Sequence, residues 1–383
     1  MTPSSETRAA GRIPELDGLR GFAVLLVVSL HYLHDPSANL PAWQHRLQSF
    51  FGLGWTGVDL FFVLSGFLIV GILLDVRETP FYFKTFYIRR FFRIVPVYYV
   101  WIALYVLLVW IGGTFLSRHL HTELHPAIGW AVWRHFLFLQ NVRPMDYALL
   151  AGYWFGPMWS LAVEEQFYLV APFVVRLLSR RWLILFLLGV VIGALCLRVL
   201  LYRFSPSPQW PAYVWMPCRA DSLAIGALGA VGWKNAAFRA RLSDRKGILY
   251  FIFAVLLIGM AVLGIWFPNP RIFFTQTAGY TWIALFYLSL LFVVLVDTGG
   301  PIARLARMSW LRACGQISYC VYLIHAAILF LCVQLLTNGT GSPSKLRGAL
   351  AVVAALAVTF GVAKASWIWL ERPLLQRGHK YKY

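Results

Sequence analysis

The feature that most constrains this 383-residue chain is the recurrence of apolar stretches, each long enough to cross a bilayer. A helix rises 1.5 Å per residue, so about 20 apolar residues cover a hydrocarbon core about 30 Å thick. Stretches of that length occur at 17–35, 55–75, 94–116, 157–178, 182–203, 213–232, 248–267, 279–297, 314–336 and 347–370. A backbone in hydrocarbon must satisfy its own hydrogen bonds, and runs of this length do so as helices. The expected fold is therefore all-α: a polytopic membrane helix bundle of about ten transmembrane helices. The sequence is 60% hydrophobic and 13% charged, with a mean hydropathy of +0.68, which excludes an ordinary soluble core. The first stretch has no small-residue cleavage site and holds Arg20 within it, so it reads as a retained span. Residues 127–141 are apolar but short and contain Arg134 and His135, and are expected to be re-entrant or interfacial. The resulting division is a disordered cytoplasmic N-terminus at 1–12, a transmembrane domain at 13–373 and a short basic tail at 374–383.

Charge fixes the orientation. With the N-terminus inside, most of the 34 lysines and arginines fall on the cytoplasmic side of this topology, from Arg8 and Arg12 to Arg377, Lys380 and Lys382. Both termini are then cytoplasmic. Counting 127–141 as a further span would export Arg180 and Arg181 and spoil the asymmetry. The net charge of +19 follows from topology and contact with lipid heads, so no nucleic-acid partner is needed. Five cysteines in or beside spans, without paired spacing, argue for no disulfide framework.

Ionisable residues inside spans are expensive and are functional candidates by default. Arg20 and His31 lie on the first helix, eleven residues apart, which is three turns plus roughly 20° and roughly 16 Å along the axis. One face of one helix therefore carries both. In the second span, Asp59 either orients His31 or makes local interfacial bonds, and Ser65 is a packing residue or a nucleophile. Arg89, Arg90 and Arg93, in FYFKTFYIRRFFR, form one basic cluster at i,i+3 and i,i+4 spacing, suited to phosphate or to anionic lipid heads. Glu164 and Glu165 enter the fourth span as adjacent acids, with Tyr168 one turn on. They read as proton acceptor, partner of His31, clamp on a hydroxylated acceptor, or structural pair. Arg219 and Asp221, at i,i+2, point apart and are expected to pair with other spans. Tyr322 and His325 make a second polar spot. His119, His121 and His125 match no familiar ligand spacing, so no metal is expected; nor is there a glycine-rich phosphate loop.

With those residues in hand, the chain resembles the acyltransferase family 3 membrane proteins, integral O-acyltransferases that modify hydroxyl acceptors. The resemblance rests on IPELDGLRG with Arg20 and His31, GVDLFFVLSGFLI, IRRFFRIVPVYY, WSLAVEEQFYL, CRADSLAIGAL, SYCVYLIHAAI and the late ERP, across nearly the whole chain. Ala327 departs from it where a proline often follows the late histidine. The resemblance implies acetyl-CoA or another acyl-CoA as cytoplasmic donor, a glycan or similar hydroxyl acceptor, and a bacterial inner membrane. It implies His31 as the catalytic base with Arg20 its companion, Glu164 and Glu165 as the acidic pair, and Arg89, Arg90 and Arg93 as the basic motif. The chain runs only about a dozen residues past Leu370 without a soluble esterase-like domain, so direct acylation or transfer to an envelope-synthesis partner protein is expected. A proton-coupled transporter or flippase using His31, Asp59 and the glutamates is the alternative, weakened by the lack of an internal repeat. A non-catalytic scaffold comes third.

Overall fold

The structure, a computed structural model, describes residues 13–33, 51–120, 132–142, 149–267, 269–337 and 346–383. The expected disordered 1–12 and the histidines at 121 and 125 lie outside them, as does the side chain of His119. The described residues are helical without strands. In order they form α1 (Pro14–Leu33), α2 (Gly57–Asp75), α3 (Tyr82–Leu120), α4 (Val132–Phe136), α5 (Leu149–Phe155) and α6 (Trp159–Leu177). These are followed by α7 (Arg180–Phe204), α8 (Gln209–Val214), α9 (Met216–Trp233), α10 (Ala236–Asp244), α11 (Lys246–Trp266) and α12 (Tyr280–Val296). The chain closes with α13 (Pro301–Ala306), α14 (Ser309–Gln316), α15 (Ser318–Thr337), α16 (Leu346–Ser366) and α17 (Arg372–His379).

Each expected span falls on a helix, and among the described residues eight helical stretches are long and apolar enough to cross a membrane. The two expected spans outside that set are α6, which carries Glu164, Glu165 and Arg176, and α9, which carries Arg219 and Asp221. Their polarity has a physical reason. Helix α9 is buried by protein along almost its whole length, from Cys218 to Val231, so it need not be apolar to meet lipid. It packs on α2, α6, α7 and α12 and is the hub of the bundle.

Two departures concern the basic segment and the 127–141 stretch. The basic segment is not a separate helix before the third span. Helix α3 runs unbroken for 39 residues through Pro96, so Arg89, Arg90 and Arg93 occupy its early turns. Of 127–141, the described part forms the five-residue α4 and an irregular turn in which Phe138 adopts a positive φ of 54° and stacks on Tyr98. That turn places Gln140, which donates to the Met158 carbonyl (2.8 Å), and Asn141, which exchanges bonds with Gln166, beside the start of α6.

The contact between α2 and α9 is backbone to backbone. A Cβ at Gly66 would overlap the Leu223 carbonyl, and one at Gly226 would overlap the Val63 carbonyl. Each glycine thus lets the other helix's backbone in, the small-residue logic of membrane bundles. Gly66→Ala is therefore expected to lower thermal stability in detergent by about 1–3 kcal/mol, the cost of overpacking. Gly189→Ala, where an added Cβ meets nothing within 4 Å, is expected to leave it unchanged or slightly raised. Equal stability of the two variants would disprove the close approach.

Candidate active site

A cavity of about 180 Å³ opens where α1, α2, α3, α6 and α15 converge. Its polar lining includes Arg20 from α1, Ser65 from α2, Arg90 and Arg93 from α3, Glu164 and Tyr168 from α6, and Tyr322 from α15. Ser65 donates to Glu164 Oε1 at 2.6 Å. The Tyr168 hydroxyl donates toward Ser65 Oγ (3.1 Å) and Glu164 Oε2 (3.4 Å). Glu164 and Tyr168 are one helical turn apart, which is why they reach the same serine. The serine is bound from both sides and oriented, which suits a positioning role better than that of an activated nucleophile, because no base accepts its proton other than that carboxylate.

Three guanidiniums surround this carboxylate. Arg20 has Asp17 at 3.6 Å, one turn earlier on its own helix. Arg90 lies over the Tyr168 ring at 5.4 Å and the Phe86 ring at 5.9 Å. Among the described residues, neither Arg90 nor Arg93 has a carboxylate within 4 Å, and the cavity lining holds a single one, Glu164. The cavity wall itself therefore carries three cations to one anion, with Asp17, Glu165 and Glu371 acting on them from behind it, and a wall of that sign suits an anionic group.

Other sequence candidates go elsewhere. Arg89 turns away from the cavity to donate twice to the Tyr381 carbonyl (2.7 and 3.0 Å) and to lie over the Tyr383 ring at 4.7 Å. The basic motif is thus divided: two arginines face the cavity and one clamps the C-terminal segment. Glu165 is rotated about 100° from Glu164 and does not line the cavity; its Oε1 is buried without a hydrogen bond among the described residues. Asp59 does not pair with His31. It accepts from Arg219 Nη2 (2.7 Å) and Ser222 Oγ (2.9 Å) on α9. The reason is proximity along the α2–α9 seam, and Arg219 in turn lies 3.7 Å over the Tyr280 ring. Asp221 accepts from Arg198 Nη2 (2.8 Å) and the Thr281 hydroxyl (2.7 Å). Arg198 also donates to the carbonyls of Cys218 and Thr277. Both pairs are completely buried and link α9 to α2, α7 and α12.

His31 has a partner that the sequence did not assign to it. Its Nδ1 lies 2.8 Å from the Val27 carbonyl, so Nδ1 carries the proton and Nε2 keeps its lone pair in the neutral ring. His325, on α15, bonds the Tyr322 carbonyl through its own Nδ1 (2.7 Å) and turns Nε2 toward His31 Nδ1 at 3.3 Å. The rings meet edge to face, 4.7 Å between centroids. One turn before His325, Tyr322 exchanges a 2.5 Å hydrogen bond with Ser160, and both line the arginine cavity. Tyr322 was visible in sequence as His325's i,i+3 neighbour. Ser160 was missed, although it stands one turn before Glu164 on the same face. All five cysteines are free, and no group of three metal-ligating side chains gathers among the described residues.

A family model described as an acyltransferase domain, of the acyltransferase-3 type, matches residues 13–366, and the chain belongs to this family. It is 27% identical over 384 residues to the peptidoglycan O-acetyltransferase OatA of Listeria monocytogenes, covering 96% of this chain and 56% of that protein. It is 28% identical to the putative peptidoglycan O-acetyltransferase YrhL of Bacillus subtilis, with the same coverage, and 26% identical over 381 residues to the O-acetyltransferase OatA of Staphylococcus aureus, covering 96% and 58%. The chain thus spans a little over half the length of these curated relatives. No solved structure matches it.

The placement of Asp59 carries a prediction. Arg219→Met is expected to destabilise the protein by about 3–5 kcal/mol, because it strands a buried carboxylate. Adding Asp59→Asn to that variant should recover part of the loss in thermal unfolding. A double variant no more stable than Arg219→Met would mean that Asp59 has work other than this pairing.

Proposed function

We propose that the protein is an integral membrane O-acyltransferase that moves an acyl group, in the first instance acetyl, from acyl-CoA to a hydroxyl of a cell-envelope glycan. The observation that carries the reading is the pairing, along one helix, of an arginine-rich anion cavity at Arg20 with a histidine at His31 whose Nε2 lone pair is available. Family membership supports it, and the named relatives modify peptidoglycan or are described simply as O-acetyltransferases. In this reading the membrane is a bacterial inner membrane and both termini are cytoplasmic, as the distribution of basic residues favours.

Arg90 and Arg93 hold donor phosphate, since guanidinium forks match its geometry. A cavity of about 180 Å³ takes only part of a coenzyme thioester, so the nucleotide end sits outside it, toward the start of α3. The arm lies along α1, past Tyr322 and toward the histidine pair. At His31 the acceptor oxygen attacks the thioester carbonyl. As the new C–O bond forms, Nε2 takes the hydroxyl proton. The C–S bond then breaks, and the thiolate leaves with that proton or one from solvent. Val27 and His325 fix the imidazole so that Nε2 is the accepting nitrogen. Glu164, held by Ser65 and Tyr168, balances the arginines and orients them.

Binding and transfer separate the parts. Acetyl-CoA is expected to bind the purified wild-type chain saturably. Arg90→Ala/Arg93→Ala should weaken binding by about tenfold or more, the loss of one charge-assisted contact or more. His31→Ala should bind acetyl-CoA as wild type yet lose acetyl transfer by about 10²–10⁴-fold, the range for a general base. Wild-type protein that binds no acyl-CoA, or His31→Ala cells with unchanged envelope O-acetylation, would reject this function.

A further inference from the structure

Helices α6 and α7 are consecutive, joined at Leu178 and Ser179, yet beyond that turn they barely touch; each packs on α9 instead. The wedge between them is a cavity of about 310 Å³, larger than the arginine-lined one. Phe167 and Val174 from α6, Leu187, Val190 and Gly193 from α7, and Ala220 from α9 form its wall, and none of its lining residues is charged. A water needs two to four polar partners, and this wall offers no such set. An apolar cavity of roughly 150 Å³ takes a benzene ring, so this one takes hydrocarbon of roughly twice that size, about twelve carbons.

Shape and position identify the hydrocarbon. The lining runs along α7 from Leu183 to Leu197, about 21 Å at helical rise, against about 15 Å for the depth of one leaflet. A groove longer than one leaflet is deep suits an extended chain. Val170 and Phe186 line it and are also 48% and 44% exposed, so the groove opens sideways onto the outer surface of the bundle. At the end nearest Leu183, one turn away, α7 begins with exposed Arg180 and Arg181, followed by Trp182 at 62% exposure, an interfacial anchor. Arg180 gives one hydrogen bond to the Val231 carbonyl, and among the described residues neither arginine has a carboxylate within 4 Å.

We propose that this wedge binds one acyl chain of an anionic phospholipid, its phosphate held at the mouth by Arg180, which stands three residues before Leu183 on the groove's side of α7. The chain fills the gap on the flank of α6 next to Glu164 and Tyr168, where Phe167 and Ala171 each follow one of them by three residues, so a lipid holds in place the helix that carries the acidic side of the arginine cavity. This inference does not depend on the acyl-transfer reading.

The test uses the full chain, delipidated in detergent, with phosphatidylglycerol or phosphatidylcholine of identical chains, reading bound lipid and thermal unfolding. Wild type is expected to retain phosphatidylglycerol through purification and to gain several degrees on its re-addition, more than from phosphatidylcholine. An added Cβ at Gly193 meets nothing within 4 Å, so Gly193→Phe should fill the groove, lose the retained lipid and lose the thermal response. Arg180→Gln should respond equally to the two lipids. Wild type indifferent to headgroup, or Gly193→Phe retaining lipid and response, would overturn the proposal. Should Gly193→Phe fail to fold, wild-type protein is photolysed with phosphatidylglycerol carrying a mid-chain diazirine. Labels concentrated on α6 and α7 at the groove, and displaced by unlabelled phosphatidylglycerol, support the site. Labels spread evenly over the exposed faces of α11 and α16 reject it.

Discussion

The structure depends on how closely α2 and α9 approach. Gly66 and Gly226 bring the two backbones into contact, and that contact fixes everything the two helices carry. On one flank it sets Asp59 against Arg219 and Ser222, closing a buried ion pair that would be ruinous half-made. On the other, Ser65, the residue beside Gly66, is turned toward α6, where Glu164 and Tyr168 meet it. A shift of the seam by a fraction of a turn would open the pair and misplace the serine together. Packing and site geometry are therefore one constraint here. The same device recurs where Gly21 and Gly315 bring α1 against α14, setting the depth of Arg20.

The buried charged residues divide into two sets whose chemistry is alike and whose geometry is not. Arg198 and Arg219 are each matched by one aspartate at 2.7–2.8 Å and sit against aromatic rings. Their work is to hold α9 in the middle of the bundle. Arg20, Arg90 and Arg93 instead line an open space with one carboxylate between them. Charge in a membrane bundle is costly in either case. A matched pair recovers that cost within the fold, whereas Arg90 and Arg93, with no carboxylate within 4 Å among the described residues, leave part of it to be met by an anion in the cavity.

Much of this was legible in the sequence because a membrane imposes a strong pattern. Apolar length alone located every helix of the spanning bundle, and the i,i+2 spacing of Arg219 and Asp221 correctly separated them onto different partners. What periodicity could not supply was contact between helices distant in the chain. Asp59 and His31 both looked like residues of the outer end and invited pairing, but the α2–α9 seam gives Asp59 to Arg219, 160 residues away. His31 and His325 are 294 residues apart, and nothing local to either names the other. The split of the basic motif was hidden for a different reason. Spacing places Arg89, Arg90 and Arg93 near one another, but only the fold of the C-terminal segment, with its Tyr381 carbonyl and Tyr383 ring, decides that Arg89 is taken out of the set. The expected span at 94–116 already ran through Pro96, but apolar length did not show that the same helix begins twelve residues earlier, at Tyr82, because those turns are basic and aromatic.

The distance along α1 sets what the site is able to do. Arg20 and His31 share a helix face but stand roughly 16 Å apart, too far for one small ligand to touch both. A small ligand held and turned over at one place would call for cations and base side by side, whereas here Tyr322 and His325 stand between the cavity and His31. A donor with a charged end and a reactive end on a flexible arm needs the opposite arrangement: cations at one level, a base at another, and a smooth wall between. Between Arg20 and His31 helix α1 has only Gly21, Phe22, Ala23, Val24, Leu25, Leu26, Val27, Val28, Ser29 and Leu30, nine of them without a polar side chain. On the proposed function, discrimination is left to the two ends of the donor, because this stretch of α1 carries almost no polar side chain.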